Sequence, residues 1–447
     1  MRIVKRMLFL FFIYTATLSS CFASVSFNLY DSGALMNNNV LDNNQKELFG
    51  VAPGGGNKTF SSYKYYNSIN QMSPDVIRLE AITSDHRKIY DPDKKVWNFS
   101  ILDQEIDKMN EGKKTIIANV FYTPKFLSTC PDSKFYAFCI PNDMNAWSFY
   151  VSSIAQHVYQ KYGIKYWEIG NEPSGKFFFT SSMNEFYNYY ILTAKAIKKV
   201  NGNILVGGFA DNAYYLKLYS DFFSKIRGSK APLLDFVTFH WYGDWGKDNT
   251  SKYNPKYVFT ISNNLKLAMN KNGFTDIPIF LTEWNLVGNR PAPGGKDQVN
   301  SYFIASLYWL KKSQVDKSLF FRVEPYNNTN ASLLDYNGNK NTVGDFFSIL
   351  NNSSFSNISM KNNVYLFSSD SRQEIILSNY DLDDVEPKNI TIHFGNKMLN
   401  SCNKTNYTLV TYSNGKIIKN ARNITCTSND SYINLTAKNF SVIHIKY

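Results

Sequence analysis

Two glutamates stand where short apolar runs end, and carboxylates so placed can act as acid, base or nucleophile. The first, Glu172, follows the β-prone run Tyr166–Ile169 in the stretch Lys-Tyr-Trp-Glu-Ile-Gly-Asn-Glu-Pro-Ser-Gly, residues 165–175. Gly170 breaks that run and Pro173 stops the ladder, so the carboxylate is presented at a strand exit. The second, Glu283, leaves the run Ile-Pro-Ile-Phe-Leu-Thr-Glu-Trp-Asn, residues 277–285, in the same way. One such Glu also reads as an ordinary surface residue at a strand end; two with the same local grammar form a constellation. Carboxylates facing each other across a cleft are what glycoside hydrolysis requires. One protonates the leaving oxygen while the other attacks the anomeric carbon or activates water.

The spacing says what must hold them. Glu172 and Glu283 are 111 residues apart, which is three strand-plus-helix units of about 37 residues, near the repeat of a (β/α)8 barrel. In a barrel the ends of a fourth and a seventh strand face each other across one mouth. Alternating signals support this. Apolar strand runs fall at 76–80, 115–122, 204–208, 234–242 and 318–323, besides the two that carry the glutamates. Helical periodicity falls between them at 100–112, 146–162, 186–200, 258–272 and 298–312, and again at 344–350. Residues 50–56, Gly-Val-Ala-Pro-Gly-Gly-Gly, read as the end of a first strand and a loop, and no phosphate-binding Gly-Lys-Ser/Thr follows. Near-continuous apolar strands alternating with helices indicate a covered parallel sheet. An open doubly wound sheet is the competing topology, but it does not bring strands four and seven face to face.

The motifs resemble a known group. Trp167-Glu168-Ile169-Gly170-Asn171-Glu172-Pro173 looks like the acid/base signature of the retaining glycosidases of clan A, and Thr282-Glu283-Trp284-Asn285 looks like their nucleophile strand. Residues 97–103, Phe121-Tyr122-Thr123-Pro124, and His157 with Lys161-Tyr162-Gly163 are similar to glycoside hydrolase family 39, the β-xylosidase and α-L-iduronidase family. The resemblance covers roughly residues 50–350, with Gly170 at a position where that family usually has Trp. It implies that Glu172 is the acid/base and Glu283 the nucleophile of a double displacement. Tyr242, in Phe239-His240-Trp241-Tyr242, resembles the clan tyrosine that hydrogen-bonds the nucleophile. Arg78 on the second strand is expected to keep Glu283 ionised, and Asn171 to hold the sugar 2-hydroxyl. His240 and Trp284 complete the expected supporting set, His240 reading also as a satisfied barrel residue and Trp284 equally as core or rim, with Glu168 and Glu80 as structural partners and Arg322 and Glu324 as further candidates for substrate contact. Alternatives are an endo-acting or family 51/79-type glycosidase (arabinofuranosidase, glucuronidase) and, from another class, a non-catalytic carbohydrate-binding barrel.

The rest of the chain frames this reading. Its 447 residues suffice for a barrel and a smaller domain, and 44% hydrophobic with 19% charged residues is globular. The start, Met-Arg-Ile-Val-Lys-Arg followed by an apolar run, reads as a secretory signal over 1–23, too short to span a membrane. Leu18-Ser19-Ser20-Cys21 resembles a lipobox, so lipid anchoring at Cys21 is the alternative to release into an extracellular, lysosomal or vacuolar space. Export permits disulfides, and the four remaining cysteines pair locally as Cys130–Cys139 and Cys402–Cys426. Five scattered histidines and no Cys-x-x-Cys give no metal or other cofactor site. A formal net charge of +12, three of it from Arg2, Lys5 and Arg6, suits a neutral or acidic oligo- or polysaccharide. Nothing resembles a nucleic-acid-binding motif. Frequent Asn-x-Ser/Thr sequons, Asn98, Asn389 and Asn439 among them, suit a glycosylating secretory route. The expected order is a signal peptide, a barrel over 24–350, and an antiparallel β-sandwich over 351–447. The sandwich shows as short β-prone runs from residue 363 to the end, to which residues 26–30 lend a strand.

Overall fold

The computed structural model describes residues 23–29, 46–54, 65–111, 114–229, 231–288, 290–326, 331–353, 355, 357–395, 406–413 and 416–447. Eight parallel strands close a barrel in sequence order: Glu47–Ala52, Val76–Leu79, Thr115–Val120, Tyr166–Ile169, Leu205–Asn212, Phe236–Tyr242, Ile279–Asn285 and Val315–Phe321. A helix follows each strand, from Tyr66–Gln71 to Thr342–Asn352. Helix starts are written locally. Asp143 accepts from the amides of Asn145 and Ala146 to open Met144–Tyr162, and Ser182 with Glu185 forms a capping box on Met183–Lys198. Gly163 ends the former in the left-handed conformation.

The barrel interior is layered. At the base a small apolar cluster of Val76, Ile117, Phe236, Phe280 and Leu319 plugs the lumen, with the Phe236 and Phe280 rings stacked at 4.8 Å. One pleat repeat above it the inward positions turn polar: Arg78 above Val76, Asn119 above Ile117, Glu168 above Tyr166 and Thr282 above Phe280. The polar layer therefore sits at the C-terminal end of the strands, on a dry apolar floor.

Two irregularities break the alternation of the strands. The register of the seventh strand against the sixth shifts between Leu281 and Glu283, and that of the fifth against the sixth shifts between Phe209 and Asp211. Such bulges re-aim side chains. They let Thr282 and Glu283, successive residues, both reach the lumen, and they stretch the fifth strand to Asn212, beyond the 204–208 read from its apolar run.

Beyond the barrel two sheets pack as a sandwich. One contains Asn357–Lys361, Val364–Ser369, Glu374–Asn379, Val442–Lys446, Asn406–Ser413 and Lys416–Asn423; the other contains Ser24–Asn28, Lys388–Gly395, Ser431–Ala437 and Thr425–Cys426. Their facing residues, among them Val25, Phe27, Leu366, Leu377, Ile392 and Ile445, form a second apolar core. The early strand does join this domain, but it pairs with Lys388–Gly395 in parallel, the exception in an otherwise antiparallel sandwich. Lys416–Asn423 was not expected from the sequence; every residue in it is exposed, so it carries no buried alternation to read. The sandwich docks on the barrel helix Gly295–Lys312. The Trp309 indole N–H donates to the Tyr365 hydroxyl at 3.2 Å, and the Tyr380 hydroxyl donates to the Tyr253 carbonyl at 2.6 Å.

Cys130 and Cys139 are joined as expected, stapling the loop after the third strand. Cys402, and with it the second expected pair, lies outside the described residues, as do Cys21 and all of the expected signal segment but Ala23. Asn439 uses its amide nitrogen on the Asp381 carbonyl and its amide oxygen on the backbone of Asp381 and Phe440.

Candidate active site

Arg78 is the hub of the polar layer. It is buried, and its Nε donates to Glu168 at 2.7 Å, Nη1 to Glu283 at 2.6 Å and Nη2 to Asn171 at 2.8 Å. Burial opposes its charge, yet Glu168, Glu283 and Glu80 together raise its pKa, so it is a permanent cation. Glu168 is held from three sides, by Arg78, by Asn119 Nδ2 at 3.0 Å and by the Thr282 hydroxyl at 2.7 Å. Asn119 also ties the Gly170 carbonyl at 2.8 Å and accepts from the Ala81 amide. One network thus fixes the ends of strands two, three, four and seven.

Glu283 sits in this network. Its second oxygen accepts from the Tyr242 hydroxyl at 2.5 Å. Burial raises the pKa of its carboxyl, and Arg78 pulls against that rise. The two charge-assisted bonds, one from a cation that cannot lose its proton, favour the carboxylate.

Glu172 is placed differently. Gly170 has φ +100° and Glu172 itself φ +46°, so the chain leaves the fourth strand through a left-handed turn. A Cβ on Gly170 would meet Phe186 Cζ at 2.6 Å, so the larger side chain common in the resembling family has no room in this packing. The Glu172 amide donates to the Ala210 carbonyl at 2.8 Å, anchoring the turn to the fifth strand. Its carboxyl meets His240 Nδ1 at 2.9 Å and no Lys or Arg among the described residues. Burial pushes the Glu172 carboxyl up to about 8, with the Asp211 charge adding to the rise and Arg78 opposing it. Burial lowers the pKa of His240, so its ring is neutral, and Nδ1 orients the carboxyl without donating a full charge.

Ligand atoms of Glu172, His240 and Glu283 lie within 4.8 Å of one another, the one trio of this kind among the described residues. As a cation site it is compromised by the Arg78 guanidinium already bonded to Glu283.

Of the residues expected here, Arg78, Asn171, Glu172, His240, Tyr242 and Glu283 converge. Trp284 does not. The bulge before Glu283 turns the next side chain outward, where the indole stacks on Phe303 at 5.7 Å and meets Phe320 edge-on. Its expected supporting role is corrected to core packing. Arg322 and Glu324 pair with each other at the mouth, and Gly54 packs so close to Arg322 that a Cβ would stand 2.4 Å from Nε. Asn119, Thr282 and Asp211 were not singled out from the sequence. A polar residue inside an apolar strand, as in Thr-Ile-Ile-Ala-Asn-Val, was the available signal for Asn119.

A closed parallel barrel with two glutamates facing across its C-terminal mouth defines the class of barrel glycoside hydrolases. The chain belongs to glycosyl hydrolases family 39, whose family model matches residues 62–318. It is 28% identical over 223 residues to a β-xylosidase of Caldicellulosiruptor saccharolyticus, covering 44% of this chain and 42% of that protein. It is 23% identical over 232 residues to a β-xylosidase of Geobacillus stearothermophilus, covering 48% and 46%. The chain thus spans less than half the length of the curated relatives it matches. Among solved structures, the family 39 enzyme of Xanthomonas axonopodis pv. citri aligns with TM-score 0.69 at 14% identity over 95% of this chain and 97% of that one. A monomeric β-xylosidase of Caulobacter crescentus aligns with TM-score 0.68 at 16% identity over 95% and 99%. These likenesses show the fold.

Proposed function

We propose that the chain hydrolyses β-linked glycosides, β-xylosides first, by double displacement with retention of configuration. The observation that carries this is the closeness of Glu172 and Glu283, oxygen to oxygen within 4.8 Å. Retaining sites hold their carboxyl groups about 5 to 5.5 Å apart, whereas inverting sites leave roughly 6.5 to 9.5 Å for a water. Unequal surroundings support the roles. Glu172, largely buried and raised to about 8, keeps a proton near neutral pH to give to the leaving oxygen. Glu283, bonded to Arg78 and Tyr242, is ready to attack the anomeric carbon and form a glycosyl-enzyme. Glu172 then removes a proton from the water that releases the sugar.

Asn171 spends its amide oxygen on Arg78, which leaves its amide nitrogen for the sugar 2-hydroxyl. Arg322 is neutralised by Glu324, which favours a neutral glycone over a uronic acid. The remaining proposals are that the catalytic unit covers 24–350 with the sandwich over 351–447, that residues 1–23 direct export, and that Cys402 pairs with Cys426. Among the described residues no helix is long and apolar enough to cross a membrane. Proton NMR of the first-formed sugar from an aryl β-xyloside should show the β-anomer; an α-anomer overturns the mechanism. A panel with aryl iduronide, glucuronide, arabinofuranoside and glucoside should rank the xyloside first.

A further inference from the structure

Asp211 is a buried carboxylate that the mechanism above does not use. It ends the bulged part of the fifth strand, 1% exposed, and no Lys or Arg among the described residues forms an ion pair with it. A lone buried charge is costly unless its surroundings compensate it. Burial pushes its carboxyl up, and three donors pull towards the ionised form: the Ser174 amide at 2.8 Å, the Ser174 hydroxyl at 2.7 Å and the Asn212 amide at 2.7 Å. Its backbone is pinned as well, because the Tyr219 hydroxyl donates to the Asp211 carbonyl at 2.8 Å.

Two of those donors belong to the residue two places after Glu172. The left-handed turn that carries Glu172 is therefore gripped at both ends from one strand, by the Ala210 carbonyl on the Glu172 amide and by the Asp211 carboxylate on Ser174. Ala210 is itself left-handed at φ +55°, so two strained residues on neighbouring strands brace each other. Backbone strain of this kind persists only where the surroundings over-determine it, and Asp211 supplies that determination.

Resting on the reading of Glu172 as the acid/base, we propose that Asp211 is its positioning residue, a negative charge that locks the turn from the fifth strand. The charged and titratable groups acting on Glu172 are Arg78 from the second strand, Asp211 from the fifth, His240 and Tyr242 from the sixth and Glu283 from the seventh. Of these Arg78 favours ionised Glu172, His240 is neutral, and Glu283 shares its charge with Arg78 and Tyr242. Asp211 is the carboxylate with no cation to cancel it. Its contribution to the raised Glu172 pKa agrees with that geometry.

The test is the pH dependence of kcat/KM on phenyl β-xyloside, a poor leaving group that needs the acid. Asp211→Asn removes the charge, so the alkaline limb should move to lower pH by about half to one unit. Ser174→Ala deletes one hydroxyl of the grip and keeps the Asp211 charge, so the limb should hold its place while kcat falls a few-fold. Asp211→Glu keeps the charge and should also hold the limb, which covers the case in which Asp211→Asn fails to fold. An unmoved limb in Asp211→Asn, or an equal movement in Ser174→Ala or Asp211→Glu, overturns the proposal. If Glu172→Ala retains the alkaline limb of the parent chain, the acid/base reading fails instead, and the two failures are distinct.

Discussion

The ends of the fourth and seventh strands carry the same side chain in different surroundings. At the seventh strand Glu283 lies within a strand, just past a bulge, and receives two short bonds, one from a buried cation. At the fourth, Glu172 sits past a broken strand in a left-handed turn, with a neutral imidazole and an unpaired carboxylate for company. The comparison teaches that the role is set by what faces the carboxyl: a permanent positive charge on one side of the mouth, its absence on the other.

The largest expected effect comes from deleting each carboxyl in turn. Glu283→Ala should lose roughly 10⁴-fold or more in kcat on every leaving group, since no glycosyl-enzyme forms. Glu172→Ala should lose about 10² to 10⁴-fold on a poor leaving group and much less on an activated one. Added azide should revive Glu172→Ala as a β-glycosyl azide; with Glu283→Ala any azide product should be the α-anomer. Product NMR showing the reverse would exchange the two roles.

Removing the cation abolishes the contrast from the other side. Arg78→Met leaves Glu168 and Glu283 buried without their partner, which should cost about 3 to 5 kcal/mol in urea unfolding. A loss under about 1 kcal/mol would mean the network repacks around water. The turn can be attacked separately. Gly170→Ala places a Cβ against Phe186 at a positive φ, and a loss of about 1 to 3 kcal/mol with a fall in kcat is expected. Wild-type stability in thermal melts would show that the turn relaxes freely.

The smallest effect concerns pH. Tyr242→Phe removes a hydrogen bond to the Glu283 carboxylate, so the Glu283 pKa should rise and the acidic limb of kcat/KM should move up by about half a unit. Folding stability has a related signature from Glu172. Its folded pKa is raised from 4.5 to about 8, so its contribution is full below 4.5 and is lost as pH climbs through 8. Replacing Glu172 by Gln should flatten that part of the stability curve.

Much of this contrast was legible in the sequence and its cause was not. Glu172 and Glu283 announced themselves through apolar runs and a barrel-like spacing, and Arg78 stood out as a charge inside a strand. The bulges before Glu283 and Asp211 left no mark, because one extra residue in an apolar strand looks like any other. That is why Trp284 was expected at the site and Asp211 was overlooked. The barrel was readable from its alternation, whereas the exposed edge Lys416–Asn423 offered no buried face to betray it.

The parallel pairing of Ser24–Asn28 with Lys388–Gly395 sets a schedule for synthesis. That strand emerges early, but its partner follows some 365 residues later, a wait of roughly 20 to 70 s at ribosomal rates of about 5 to 20 residues per second. Throughout that interval its Val25 and Phe27 lack the residues from 364 onward that complete their core. Closing the sandwich therefore waits until strands some 365 residues apart have both been made.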